Sequence, residues 1–356
     1  MKKRIKIKDI AIRAGVSTGT VDRVIHKRGK VSKSSKEKVL KAMEELKYSP
    51  NIIARTLARK KVTTLSILIP YPYQDFYWKM LKSGIDTGLR DYEHFNLLGN
   101  IYFYDMFDES HFQSVAEQAL TPETDAVIVG SEFNHQTINF LKKSNRNEIP
   151  SIVMNAEIKS VPCLSYIGTN SYQTGCLTGK LIVTKGNLTQ VLVLHNTKNI
   201  QNALHLKNKE IGLSDFISES KAEVGIHTLS VDDHQISEIE IVKKIRNKID
   251  KLNIDCIYVT SSKGYIIAKS IKSLYPEIYI IGHDLIDNNV KLLTEDKIDV
   301  IINQSAEKLG YFSIKTMVNH IILEKRIDKK YYLPLDIVYK ENYQFYLKDS
   351  DINTLY

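Results

Sequence analysis

From Thr64 onward the chain alternates short apolar runs with amphipathic stretches, and this alternation limits the possible folds more than any other feature. The runs are LSILIP, FNLLGNIYFY, DAVIVG, PSIVMN, LSYIGT, TQVLVLH, GIHTLSV, DCIYVT and IYIIGHD. Between them, stretches such as FYWKMLKSGIDTGLRDY and HQISEIEIVKKIRNKIDKL repeat apolar residues at helical spacing. Apolar strands separated by helices predict a doubly wound parallel α/β architecture. So many strands exceed one comfortable sheet, so two similar lobes are expected. Ligands bind such sheets beyond the carboxyl ends of the strands. The loops to read are therefore PYPYQDFYW, GSEFN, NAE, HNTKN, TSSKG and HDLID.

These loops hold aromatics, amides, hydroxyls and a few charges, a mixture that suits a sugar: its apolar ring face stacks while its hydroxyls pair with planar polar groups. They contain no GxGxxG, no Walker lysine and no nucleophile elbow. His283 beside Asp284 reads as a hydrogen-bonded neighbour rather than half of a catalytic dyad. Cys163, Cys176 and Cys256 are widely spaced and form no metal-ligand pattern, which predicts ordinary thiols in a reducing compartment. The expectation is a non-enzyme without cofactor or metal.

Charge separates the first sixty residues from the rest. Residues 1–61 hold 19 Lys and Arg against 5 Asp and Glu, whereas the remainder holds 31 against 36. A basic arm on a mildly acidic body predicts a polyanion-binding module attached to a domain of another kind. Within the arm, IKDIAIRAG spaces apolar residues as a helix that stops at Gly15. Ser17 can cap a second helix, STGTVDRVIH, with Val21, Val24 and Ile25 facing inward. The tight turn between the two predicts a helix-turn-helix. A third helix is expected to open on Ser34 and Glu37 as a capping box and to bury Val39, Met43 and Leu46. The outward residues of the second helix are then Thr18, Gly19, Asp22 and Arg23. Arg23 suits a guanine edge, Thr18 a thymine methyl or a phosphate, and Ser17 and Thr20 suit phosphate oxygens. The basic N-terminus lacks an apolar core and a cleavage site, and no run of about eighteen apolar residues occurs, so a cytoplasmic protein that does not span a membrane is expected.

The segment IKDIAIRAGVSTGTVDRVIHKRGKVSKSSKEKVLKAMEELKYSPNIIARTLARKK closely resembles the headpiece and hinge of the lactose-repressor (LacI-type) family of bacterial transcription factors. The resemblance implies a dimer that sets two recognition helices in successive major grooves of double-stranded DNA. It also implies a hinge helix from each subunit in the minor groove. Leu57 falls at the family's wedge position, flanked by Asn51, Ala54, Arg55 and Ala58. In this frame Gly19 is a missing base-reading side chain. Asp22, where relatives often have serine, becomes a specificity device.

Residues 62–345 resemble the same family's sugar-binding effector domain, itself similar to periplasmic ribose-type binding proteins, with the landmarks YIGTNSYQTGCLTGKL, IIGHDLID, IDVIINQSAEKLGY and LPLDIVYKEN. The resemblance places Asp284 and Gln304 in the ligand cleft, Phe76 and Tyr77 as ring-stacking aromatics with Asp75 beside them, and Lys209 where an arginine is usual. Asn155-Ala156 stands where many sugar binders have Asp-Arg, and Ser261-Ser262 where Asn-Asp is common. These exchanges leave the cleft but alter which sugar fits.

The expected organisation is a helix-turn-helix headpiece over 1–50, a hinge over 51–61 and a two-lobed effector and dimerisation domain over 62–356. One lobe would take about 62–160 and 288–332, the other about 161–287 and 333–356, with crossovers near 157–165, 285–289 and 330–336. The tail has no heptad repeat, so a homodimer on a palindromic operator is expected. The implied function is a sugar-responsive repressor. The rivals are an exported sugar-binding protein, which would lack the basic arm, and an α/β enzyme, which would need a convergent acid–base or nucleophile set.

Overall fold

A computed structural model describes residues 5–25, 29–46, 48, 62–197, 200 and 203–347. The chain divides into two compact units, Met1–Lys60 and Lys61–Tyr356. Among the described residues no helix is long and apolar enough to cross a membrane.

The first unit holds α1 (Ile7–Ala14), α2 (Thr18–Ile25) and α3 (Lys33–Glu45). Helix α1 begins where the Asp9 carboxylate accepts the Lys6 backbone N–H at 2.8 Å. It ends at Gly15, whose φ of +64° lets the chain turn into the left-handed region. Ser17 then caps α2, its Oγ accepting the Thr20 N–H at 3.1 Å. Helix α3 starts earlier than expected, because Ser32 rather than Ser34 accepts the free N–H, that of Ser35. Ile10, Ala11, Ala14, Val21, Val39 and Ala42 form the buried core, with Val24, Ile25, Met43 and Leu46 packed against it.

In the larger unit the chain builds β1 (Thr63–Pro70), α4 (Phe76–Tyr92), β2 (Leu97–Tyr104), α5 (Glu109–Gln118), β3 (Ala126–Gly130), α6 (Asn134–Arg146), β4 (Ser151–Met154) and β5 (Ser165–Gly168). It then passes into α7 (Ser171–Lys185), β6 (Gln190–Asn196), α8 (Leu204–Ser220), β7 (Gly225–Val231), α9 (Glu238–Leu252), β8 (Cys256–Val259), α10 (Tyr265–Leu274), β9 (Tyr279–His283), α11 (Asp287–Thr294) and β10 (Val300–Asn303). It ends with α12 (Ala306–Ile321), β11 (Lys330–Tyr332), β12 (Asp336–Val338) and α13 (Tyr343–Leu347). The two sheets run β11-β5-β4-β3-β1-β2 and β12-β10-β9-β8-β6-β7. Strand β12 pairs antiparallel with β10, and the other pairings are parallel. Central strands such as β3, β4, β8 and β10 are buried throughout, as a sheet covered on both faces requires.

All nine apolar runs became strands, and β10, β11 and β12 add three more. The chain changes lobe between Gly168 and Ser171, between Asn303 and Ala306, and between Tyr332 and Asp336. The first two crossings lie later than the expected 157–165 and 285–289. Strand β5 is in register with Ile152–Met154 of the first sheet, and β10 with Ile281–His283 of the second. Residues 165–168 therefore belong to the first lobe and 300–303 to the second.

Each lobe locks a helix pair through backbone contact. A Cβ on Gly84 of α4 would lie 1.8 Å from the Glu307 carbonyl of α12, and one on Gly310 would lie 2.1 Å from that of Leu81. In the second lobe, a Cβ on Gly175 of α7 or Gly212 of α8 would come within 2.0 Å of the Lys209 and Tyr172 carbonyls respectively. Only glycine permits such crossings.

Candidate DNA-reading helix and ligand cleft

On α2, Ser17, Thr18, Gly19 and Arg23 are exposed, while Thr20 and Asp22 are partly covered. Ser17 Oγ and Thr20 Oγ1 lie 3.0 Å apart, so the two hydroxyls stand together at the helix start beside its free N–H groups. A Cβ on Gly19 would meet little but the Ser17 Oγ at 3.8 Å, and its backbone is ordinary helix. Nothing in the fold requires glycine there. Asn51, Ala54, Arg55, Leu57 and Ala58 lie outside the described residues.

In the larger unit a cavity of about 570 Å³ opens between the lobes, lined by residues from the carboxyl ends of both sheets. Of the residues expected there, Asp75, Tyr77, Asn155, Lys209, Ser261, Asp284 and Gln304 line it. Phe76 does not. As the first residue of α4 it points away from the cavity, is 42% exposed and meets Tyr265 edge to face at 6.3 Å.

Asp75 caps α4, its Oδ1 accepting the Tyr77 N–H at 2.8 Å and the Ser262 hydroxyl, from the opposite lobe, at 3.1 Å. Burial raises its pKa against the opposing pull of Lys263. The Tyr77 hydroxyl donates to Asn155 Oδ1 at 3.1 Å, and Asn155 Nδ2 donates to Glu132 Oε1 at 2.9 Å. Asn155 leaves β4 with φ +70° and Asp284 leaves β9 with φ +63°, left-handed turns that these two residue types tolerate better than most. Both turns bring a side chain into the cavity at a strand end. With both ends of its amide engaged, Asn155 holds Glu132 in place.

Asp284 accepts from Gln304 through the backbone N–H at 3.2 Å and through Nε2 at 3.0 Å. Gln304 in turn accepts the Thr169 hydroxyl at 3.3 Å, so it links the first crossing between lobes to the second. Burial pushes Asp284 up to about 6, with Lys209 and Gln304 pulling the other way. Lys209, 2% exposed, donates to the Thr260 carbonyl at 2.8 Å, and burial lowers it to about 8 with Asp284 opposing. Its lining neighbour His205 is pushed down to about 3 by burial and by Lys209, so it is neutral. Next to Asp284, His283 lies with Nδ1 3.0 Å from the Ile302 carbonyl and Nε2 3.0 Å from the Tyr258 hydroxyl. Since Nδ1 must donate to a carbonyl, Nε2 accepts from Tyr258, and burial keeps the ring neutral. His283 is a structural residue, bonded away from Asp284.

Five further residues shape the site, Glu132, Lys263, Asp233, Phe107 and His234, none of them expected there from the sequence. Glu132, two residues beyond β3, is pushed up to about 8 by burial and by Asp75. Lys263 pairs with Asp233 at 2.8 Å and lies 4.0 Å from Asp75 across the cleft. Burial alone would lower its pKa, but Asp233 and Asp75 outweigh that and hold it above the usual lysine range. Phe107 of the first lobe stacks on His234 of the second at 4.2 Å, with an interplanar angle of 8°.

A family model described as bacterial regulatory proteins, lacI family, matches residues 6–51, and one for a periplasmic binding protein domain matches 66–325. The sucrose operon repressor of Lactococcus lactis subsp. lactis is 24% identical over 94% of this chain and 99% of its own length. The ribose operon repressor of L. lactis strain IL1403 is 27% identical over 94% and 97%. A Bacteroides fragilis crystal structure described as a LacI transcriptional regulator superposes with a TM-score of 0.75 at 26% identity, over 80% of this chain and all of that one. The chain thus carries a DNA-binding domain of the lacI family of bacterial regulatory proteins at one end and belongs, over most of its length, to the periplasmic-binding-protein domain family.

Proposed function

We propose that the protein is a sequence-specific transcriptional repressor whose grip on its operator is set by a small sugar or sugar derivative. The carrying observation is the polar cleft between the lobes, framed by Asp284 and Gln304, in the same chain as an exposed helix-turn-helix face. Both full-length relatives carry the names of sugar operon repressors, which supports the same reading. The working form is a cytoplasmic homodimer on a palindromic operator, with Ser17, Thr18, Thr20, Asp22 and Arg23 in the major groove. Residues 51–61 act as hinge, with Leu57 as wedge and Asn51, Ala54, Arg55 and Ala58 beside it. Asp75, Tyr77, Asn155, Lys209, Ser261, Asp284 and Gln304 form the effector site.

A ligand moves such an equilibrium only by its difference in affinity for the two lobe arrangements. Closure around the sugar would change the spacing of the two hinges across the dimer, and the arrangement that separates them releases DNA. The test is a thermal-shift screen against sugars, followed by gel retention on the operator with each hit. A hit should raise the melting temperature by mass action and lower operator retention. A sugar that binds tightly and leaves DNA affinity unchanged sinks the switch.

A further inference from the structure

Among the described residues, the charged side chains that line the cavity are mostly acidic. Six carboxylates line it, those of Asp75, Glu109, Glu132, Asp232, Asp233 and Asp284, against the ammonium groups of Lys209 and Lys263. Both lysines are engaged. Lys209 is bonded to the Thr260 carbonyl and faces Asp284. Lys263 is paired with Asp233 and reaches Asp75 only at 4.0 Å. Glu132 is held by an uncharged donor, the Asn155 amide. The titratable groups that face it are Asp75, Lys263, Tyr77 and Tyr104, and among the described residues none of them forms an ion pair with it. Two largely covered acids, Asp75 and Glu132, thus share part of one positive charge in the cleft. A buried carboxylate takes a countercharge or a proton. A ligand phosphate would add to the imbalance, and a ligand cation would remove it.

We propose that the effector carries a protonated amine, as an amino sugar or amino polyol does, and that Glu132 and Asp75 receive its ammonium group while Asp284 and Gln304 take hydroxyls. This rests on the sugar reading of the same cleft and narrows it to a charge class. A site of this kind rejects phosphorylated sugars by repulsion and discriminates against neutral ones by leaving its acids unpaired.

The test is isothermal titration of the full-length protein with 2-amino-2-deoxyhexoses and amino polyols, with their parent hydroxyl compounds, and with hexose 6-phosphates. At least one amine should bind ten-fold or more tighter than its neutral parent, with the phosphates weakest. Near pH 6.5, where Glu132 is largely protonated, amine binding should also release a proton. Repeating the titration in two non-amine buffers of different ionisation enthalpy reads that release. In Glu132→Gln, which keeps an oxygen for Asn155, the amine-to-neutral affinity ratio should fall several-fold and the proton release should disappear. The ratio compares two ligands on one protein, so a general weakening cannot imitate the result. Neutral sugars binding as tightly as their amines, or phosphates binding tighter, would overturn the inference and leave the sugar reading intact. If no compound of the three classes binds, both fall.

Discussion

At the scale of single residues, Glu132 makes stability depend on pH. Its carboxyl ionises near 4.5 in the unfolded chain and near 8 in the folded protein. The folded state therefore holds the extra proton between those values. The contribution is fully present below pH 4.5 and is lost as the pH climbs to about 8, at no more than about 1.4 kcal/mol per pH unit. Glu132→Gln should flatten the fall in melting temperature of the unliganded protein from pH 5 to pH 8. A profile parallel to the wild type would mean that Glu132 is ionised throughout. On the DNA side, Arg23 is exposed in the last turn of α2, so Arg23→Ala should cost about 1–3 kcal/mol of operator binding and relax the preference at one base pair. Retained affinity with unaltered preference in a binding-site selection would remove Arg23 from the base readers. Gly19 has open space and helical backbone, so Gly19→Ala should stabilise the headpiece by up to about 1 kcal/mol in thermal unfolding. A destabilised variant would mean that the helix needs its glycine after all.

At the scale of elements, the glycine crossings tie stability to the site. Adding a methyl at Gly84 or Gly175 forces two backbones apart, and each change to alanine should cost about 1–3 kcal/mol in denaturant unfolding. The two should differ in binding, because the atom that Gly175 touches is the carbonyl of Lys209 itself. Gly175→Ala should weaken effector binding beyond what Gly84→Ala does; equal effects would show that α8 does not set the position of Lys209. The strands that the sequence announced stand out as apolar runs bounded by polar loops, as in LSILIP and DAVIVG. Of the three it did not announce, Lys330–Tyr332 and Asp336–Val338 are three residues long and the first is exposed, so their pattern is too short to register, whereas the buried Val300–Asn303 is only four residues long and follows directly on a charged turn. The crossing expected near 330–336 is found there, whereas the first two lie later than expected, because the lobe a strand joins is decided by partners distant in the chain, as β5 is by β4 and β11. Seven cleft residues were legible because each stands in a motif or loop tied to a strand end or helix. Phe76 was not, since one position along a helix turns a side chain by about 100° and Asp75 had taken the cap. Glu132 escaped notice because a lone acid after an apolar run looks like any loop residue until Asp75 and Asn155 are seen around it.

At the scale of the whole ligand-binding unit, the lobes meet at the cavity mouth through Phe107 on His234, and deeper through Asp75 with Ser262 and Lys263. An aromatic pair of this kind contributes about 0.5–1.5 kcal/mol. Phe107→Ala should therefore speed ligand release by two- to ten-fold in stopped-flow dissociation, and an unchanged rate would mean that release does not part the lobes there. Gln304 has a wider consequence. It binds Asp284, which lines the cavity, and it takes the hydroxyl of Thr169 at the neighbouring crossing, so one amide joins the proposed effector site to a crossing between the lobes. Under the proposed function, a designer who alters Asp284 or Gln304 to admit a new inducer should at the same time reset how strongly the regulator represses when no inducer is present. Leakiness and ligand preference are inseparable at those two positions.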